Sequence, residues 1–591
     1  MMMTGCGKTG TENITRTEEY HYDLFGEHVY VFSPEDNPQE IQKVLDELWQ
    51  KQETNQFGEE RYSVYFLPGE YEDSVSAKVG YYMQVAGLGY LPDDTRIPSL
   101  NCDARWLGDD SNHNATCNFW RGVENLTIES NTMWAVSQAT FMRRVHVEGA
   151  LYLHDNYGWA SGGFLADSLI DLATDSGSQQ QWLSRNCDWK AWIGDNWNMV
   201  FAGIEDGKAP IGTWPAKQYT TVEVVEEIRE KPFLVFDEEM GFGVLVPNTQ
   251  RNTKGVSWYK AGACVQRQDL DGVFLPISEF YVAKAETDNE ETLNAALQDG
   301  KNIFFTPGVY ELKEELRVDN PETILLGTGL ATLRAVDGNQ CIHVTTPEKV
   351  TISGLLLDAG TVESQLLLQL GEKTETEREP QAGEDAALLA DLFFRVGGAL
   401  SEPAKVNACV EINSNHVIGD NFWVWRADHG EQVGWNRNTA RNGLLVNGDD
   451  VTIYALMVEH FQEYQTIWRG ENGKVIMYQS EIPYDVPKQS DYMSHDGKVN
   501  GYASYKVDEN VETHEIWGFG IYSYNRDAVI EIHSAVELPW KEEIRAHHVC
   551  AVMITGNPGI SYVINELGEH CYTGGARAII KEYEYEKENN T

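Results

Sequence analysis

The sequence predicts an all-β chain folded as two tandem parallel β-helix modules with short capping helices, and three observations carry that prediction. Short apolar runs are broken by frequent Gly and Asn-Gly turns, with little sustained helical periodicity, which favours strands and turns throughout. From Leu444 to Asp485 a strand, a glycine-bearing turn and another strand recur within 20-odd residues, the signature of stacked solenoid coils. The chain also repeats itself at long range. Pro68-Gly69 and Pro307-Gly308 lie 239 residues apart, and Gly87 and Gly327 lie 240 apart, so two landmarks keep nearly one offset.

In chain order, residues 1–18 form a polar tether. Its Thr4-Gly5-Cys6 looks like the end of a bacterial lipobox, which would make Cys6 a lipidated anchor and the protein extracellular or cell-surface; the apolar stretch of such a signal is not among these residues. Residues 19–205 form the first module, opening with VYVFSPEDNPQEIQKVLDEL, in which Pro38 to Gln50 reads as a helix, then YSVYFLPGEYE and QVAGLGYL. Residues 206–275, with Pro, Gly and hairpin-like strands, read as a connector. The second module, 276–575, repeats the opening with FYVAKAETDNEETLNAALQDG (helix Glu290 to Gln298), NIFFTPGVYEL and ILLGTGLATL. A helix at the start of each module fits a cap, because an open solenoid end exposes unpaired strand edges. Residues 371–388 read as a polar exposed insertion, and 576–591 as a fraying tail.

Composition narrows the function. With 92 acidic and 45 basic residues the formal charge is −47, a field that repels nucleic acid and anionic membranes and suits a neutral ligand. No apolar run approaches the roughly 20 residues of a membrane-spanning helix. None of the nine cysteines forms a C-x-x-C pair; Cys102 and Cys117 read either as a local disulfide or as buried thiols. Neither H-E-x-x-H nor a phosphate-binding G-x-x-x-x-G-K-[ST] occurs, and no metal or cofactor is expected.

The chemistry-bearing residues centre on 444–485. Glu459 and Glu481 each close an apolar run, VTIYALMVE and VIMYQSE, 22 residues apart. Equivalent positions on adjacent coils stand about 4.8 Å apart, so the two carboxyls can share a site; paired carboxyls beside aromatics are the equipment of glycoside hydrolysis. Taken alone, among 92 acidic residues, the pair reads more readily as solvated strand-end glutamates. In the first module Gln138 (in WAVSQAT) and Ser161 (in NYGWASGGF) can jointly hold a water, or can belong to an internal polar ladder, as can Ser178-Gln179-Gln180-Gln181. FWVWRADHGEQVGWN offers Trp423, Trp425 and Trp435 for stacking on sugar rings, the first two on one strand face. Its Asp428-His429 pair has no evident serine partner.

The segments WVWRADHG, VGWN, RNGLLVNGDDVT, VEHFQEYQTIWRGENG, YQSEIPYDVP and NGYASYKV, with FYVAK, FFTPGVY, REKPF and YGWASGGF, resemble the bacterial branch of family 55 glycoside hydrolases, the exo-β-1,3-glucanases. The resemblance runs from about residue 28 to 570. It implies two right-handed parallel β-helices side by side like a rib cage, with a β-1,3-glucan cleft between them and inverting hydrolysis. It further implies Glu481 as general acid, with Glu459, Gln138 and Ser161 organising the attacking water. Trp435, Tyr484, Trp517 and Trp423 are expected to line sugar subsites, with loops 156–164 and 426–436 blocking one end, in a monomer. Burial and Glu459 are expected to hold Glu481 protonated near neutral pH. The competing readings are a β-helix polysaccharide lyase and a non-catalytic glycan-binding solenoid.

Overall fold

The computed structural model describes residues 16–585 apart from 18, 106–107, 110, 260–266, 373–385, 556–557 and 573. Cys6, most of the tether and most of the 371–388 insertion lie outside the described residues.

Within each module, apolar runs become strands that pair in parallel with the next coil. In the first, one ladder runs from Val29–Phe32 through Arg121–Ile128, Thr140–Val147 and Gln181–Arg185 to Asn198–Ala202 and Tyr219–Val222, so the coil stack continues past residue 205. In the second, the ladder facing the first module contains Ala387–Val396, Val417–Arg426, Val451–Glu459, Gly473–Glu481, Thr513–Tyr524 and Glu543–Thr555. A second parallel sheet, Leu316–Val318 to Ile560–Ile564, forms its far side. The antiparallel strand Ala576–Tyr583 closes the end of the ladder. Between the modules lie the antiparallel strands Phe233–Asp237, Gly241–Pro247 and Gly272–Pro276.

The two expected helices are present as Pro38–Gln52 and Glu290–Gln298, each begun by an asparagine whose side chain accepts backbone N–H groups: Asn37 from Gln39 and Glu40, Asn289 from Thr292. Ile41, Leu45 and Leu48 of the first, and Leu293, Ala296 and Leu297 of the second, bury one face of each helix in its own module's core. That is how a cap shields the first coil.

Left-handed backbone stacks coil upon coil. Asn125, Arg144, Asp167, Asn186 and Gly203 in the first module, and Gly354, Asp391, Asn421, Ala455, Met477, Gly518 and His548 in the second, all have positive φ. Each interrupts the ladder at the same register, so Asn421 stands between Ala455 and Asp391. Each such residue shifts the in–out alternation by one. On Val451–Glu459 the interior side chains are Val451 and Ile453 before Ala455 (φ 54°), but Leu456 and Val458 after it. Unbroken alternation from Val451 would bury Glu459 inside its own coil. The shift turns it outward, toward the first module.

The outward faces meet in a seam with two parts. One is aromatic and apolar, where Phe119 and Trp120 pack against Trp423 and Trp425. The other is ionic: Arg143 donates to Asp391 (2.8 Å) and Asp420 (2.6 Å), and Arg185 to Asp420 (2.9 Å) and Glu230 (2.6 Å). Lys231 lies 3.3 Å from Glu124 and 3.4 Å from Asp391. These charges are buried but mutually satisfied, which is the condition for tolerating them. Cys102 and Cys117 are buried free thiols, not a disulfide.

Candidate active site

Gln138, Ser161, Glu459 and Glu481 converge at one end of the seam. Glu459 and Glu481 face each other in register at the ends of neighbouring strands. Opposite them, Gln138 precedes strand Thr140–Val147 and Ser161 precedes Phe164–Ala166, each followed by a residue of positive φ, Ala139 and Gly162. Gln138 Nε2 donates to Glu459 Oε1 at 2.8 Å, across the seam, and Ser161 Oγ donates to Gln138 Oε1 at 2.9 Å. Gln179, from the polar run at 178–181, accepts from Gly162 N and donates to Val136 O and Leu153 O, each at 2.8 Å. It is a structural pin that fixes the Ser161 loop against the coil carrying Gln138.

Burial dominates the electrostatics. It pushes Glu481 up to about 7, with Asp428 adding to the rise while Tyr484 and His429 oppose it. Burial and then the charge of Glu481 raise Glu459 well above the usual carboxylate range. Two carboxyls one coil apart in a dry site resist double ionisation, so the pair retains one proton near neutral pH. Glu459 is lifted further than Glu481, whose Oε2 meets both the Tyr484 hydroxyl and His460. Burial pushes this imidazole down to about 4, so it is neutral, and its Nδ1 faces the Ile482 carbonyl at 3.4 Å. A carbonyl only accepts, so Nδ1 carries the hydrogen and Nε2 turns its lone pair to Glu481 Oε2, 3.5 Å away. A lone pair there offers an acceptor to a proton on Glu481, against the Tyr484 hydroxyl that steadies the carboxylate. Arg426 holds this corner together, donating to both oxygens of Asp485 (3.0 and 2.6 Å) and to His460 O (3.0 Å).

Tyr484 donates its hydroxyl to Glu481 Oε2 and stands edge-on to His460 and Tyr524. Trp435 is half-buried near the same corner, 5.7 Å from the Arg426 guanidinium and edge-on to Tyr492. The other two expected sugar-lining rings are placed elsewhere. Trp423 is 1% exposed, stacked on Trp425 at 4.7 Å, and forms the packed wall behind Glu459, with no face free for a sugar. Trp517 pairs with Ile476, five residues before the Tyr522–Glu481 pair, about 16 Å away by the usual strand rise. Its ring stacks on His547 at 3.8 Å. Exposed aromatics nearer the site are Tyr157 (66%) and Trp159 (62%), on the loop that carries Ser161. Their sequence signal is the NYGWASGGF segment itself, which carries both rings beside Ser161. Asp428 and His429 form a 2.8 Å ion pair, His429 being pushed up to about 10 chiefly by its hydrogen bond to Asp428 against the opposing cost of burial. The pair is a charged strut at the site's edge, not a base for a nucleophile.

Among the described residues, Glu459, His460 and Glu481 each bring one ligand-type atom within 4.8 Å of the others, the one grouping that could hold an ion. No helix among the described residues is long and apolar enough to cross a membrane.

Comparison with known proteins gives four findings. A profile of the LAM55 pectate lyase-like domain matches residues 280–481, ending on Glu481. An exo-β-1,3-glucanase of Streptomyces sp. (strain SirexAA-E / ActE) is 42% identical over 553 residues, covering 92% of this chain and 87% of that protein. The solved structure of sacteLam55A from Streptomyces sp. SirexAA-E superposes with a TM-score of 0.88 at 40% identity, covering 95% of this chain and 98% of that one. The ensemble refinement of a glutamate-to-alanine variant of sacteLam55A in complex with glucose gives a TM-score of 0.87 at 41% identity, with the same coverage.

Proposed function

This chain belongs to glycoside hydrolase family 55, and from that premise we propose that it is an exo-acting β-1,3-glucan hydrolase working by inversion. The observation that carries the reading is the chain Ser161–Gln138–Glu459, which bridges the seam and ends one coil from a carboxyl that burial pushes up to about 7.

Glu481 gives its proton to the leaving glycosidic oxygen. Ser161 and Gln138 hold the water that attacks the anomeric carbon from the opposite side, and Glu459 is the one member of that chain able to take the proton the water releases. Acid and base of an inverting hydrolase usually stand about 6.5–9.5 Å apart. Glu459 and Glu481 offer oxygens within 4.8 Å, closer than that range, and we therefore assign the attacking water to the Gln138–Ser161 end of the chain. The closeness of the carboxyls has a use. Each turnover leaves Glu481 ionised, its proton on the leaving oxygen, and Glu459 carrying the proton released by the water; transfer from Glu459 to Glu481 across one coil resets the site.

Tyr484, Trp435, Tyr157 and Trp159 are the rings we assign to sugar contact. We also propose that the protein acts as a monomer outside the cytoplasm, because a glucan polymer does not cross a membrane, with Cys6 as the point of lipid attachment. The test is hydrolysis of laminari-oligosaccharides with reduced ends, followed by NMR of the first product. Glucose appearing as the α-anomer supports inversion; the β-anomer refutes it. Glu481→Gln should lower kcat by about 10²–10⁴ without loss of fold, the usual range for removing a general acid. Near-wild-type release of glucose by that variant ends the assignment.

A further inference from the structure

We propose a second glucan-binding site, remote from the catalytic seam, in the groove beneath Trp540. The proposal rests on the β-1,3-glucanase reading above for the identity of its ligand.

The groove has a volume of about 530 Å³ and is lined by strands of the second module's far sheet and by the segment that follows Glu537. It shares no residue with the catalytic constellation, whose glutamates end strands of the other sheet. Trp540 is its dominant feature. The residue is 53% exposed, yet its ring is held in place by an edge contact with Tyr583 at 5.1 Å and a tilted contact with Tyr585 at 5.6 Å. Tyr583 is itself fixed by donating to Leu538 O and Pro539 O, and Asn565 bonds Leu538 through both its N–H and its carbonyl. An exposed tryptophan on a braced backbone is a rigid platform that loses little freedom on binding, and its flat apolar face matches the C–H face of a pyranose.

The polar lining sets the ligand's charge. Lys506 is bound to Glu537 at 3.1 Å and Lys541 to Glu512 at 2.7 Å, so both cations are already neutralised by partners. Glu509 and Glu566 add acidic charge to the walls, and the whole chain carries −47. Anionic polymers are therefore repelled, and a neutral polymer rich in hydroxyls is accepted. Lys506, Glu537 and Asn565 stand on or beside successive coils, which repeat at about 4.8 Å, so the groove runs along the solenoid axis, the direction a polymer chain would follow. A site of this kind keeps a polymer on the enzyme while its end is trimmed elsewhere, raising the local concentration of chain ends.

The test uses the full chain carrying Glu481→Gln, with and without Trp540→Ala, titrated calorimetrically with laminarihexaose and run in native gels cast with laminarin. Two binding events per chain are expected for the first protein and one for the second. Retention in the gel should weaken by about tenfold, the scale of one lost ring stack. Trp540→Ala alone should hydrolyse laminaritriose at the wild-type rate but act more slowly on insoluble β-1,3-glucan. One binding event in both proteins, or equal retention of both, overturns the second site. Failure of the wild-type chain to release glucose from laminaritriose overturns the glucanase reading instead, so the two failures read out separately. Trp540→Phe, which keeps a flat ring, should restore most of the retention; loss equal to alanine also refutes stacking.

Discussion

Replacing Tyr484 by phenylalanine should widen the alkaline range of activity rather than narrow it. Glu481 must be protonated to act, so kcat/KM falls as the pH rises through its pKa, held up at about 7 chiefly by burial. The Tyr484 hydroxyl donates to Glu481 Oε2 and is the largest influence pulling that pKa back down, because a donor steadies the carboxylate more than the acid. Removing it leaves burial and Asp428 less opposed. A hydrogen bond to a charged group contributes about 1.5–3 kcal/mol. At 1.36 kcal/mol per pKa unit this moves the alkaline limb upward by about one to two units. The assay is the pH dependence of kcat/KM on laminaritriose for the wild type and Tyr484→Phe, read on the limb position, which a change in sugar affinity alone leaves in place. A limb that stays fixed or moves downward refutes the assignment of Glu481 as the titrating acid with Tyr484 as its donor.

Other perturbations probe the scaffold. Asp420→Ala strips a shared acceptor from Arg143 and Arg185, both wholly buried, and should destabilise the fold by about 3–5 kcal/mol in urea unfolding; a loss under 1 kcal/mol would mean the seam rearranges freely. Trp423→Ala should cost about 3–5 kcal/mol as a packed core residue, whereas a sugar platform would lose affinity and keep its stability. Ala455→Val places a β-branched residue at φ 54° and should cost about 1–3 kcal/mol and lower kcat by tilting Glu459, while Ala455→Gly should leave both nearly unchanged.

The coil stack was legible because duplication and strand–turn spacing are properties of the sequence itself. So were both capping helices, the first running two residues further than its apolar pattern indicates. Glu459 and Glu481 could be paired from their equal positions at the ends of repeated runs. What residue patterns do not disclose is the phase shift at Ala455 and Met477, neither of which is a glycine or an asparagine that would announce left-handed backbone. Alternation read straight through VTIYALMVE sends Glu459 inward. The aromatics divide for a related reason. Trp423 and Trp435 carry the same propensity to stack, but Trp423 faces a partner module 300 residues distant in sequence, and only the docked seam decides that its ring is covered. Nothing in the sequence marks His460, because its contribution is a tautomer set by the Ile482 carbonyl just past the neighbouring strand.

The stacked left-handed residues also bear on how this scaffold tolerates change. A strand whose pleat is reset partway along inherits its downstream orientation from the neighbouring rungs, not from its own beginning. An extra residue inserted between Asn447 and Val451 can be absorbed as slack upstream of Ala455, leaving the glutamates aimed as before. The same insertion between Ala455 and Glu459 has no later reset to correct it, and swings the carboxyl to the wrong side of the sheet. Length variation in these coils is therefore cheap on one side of the column and ruinous on the other.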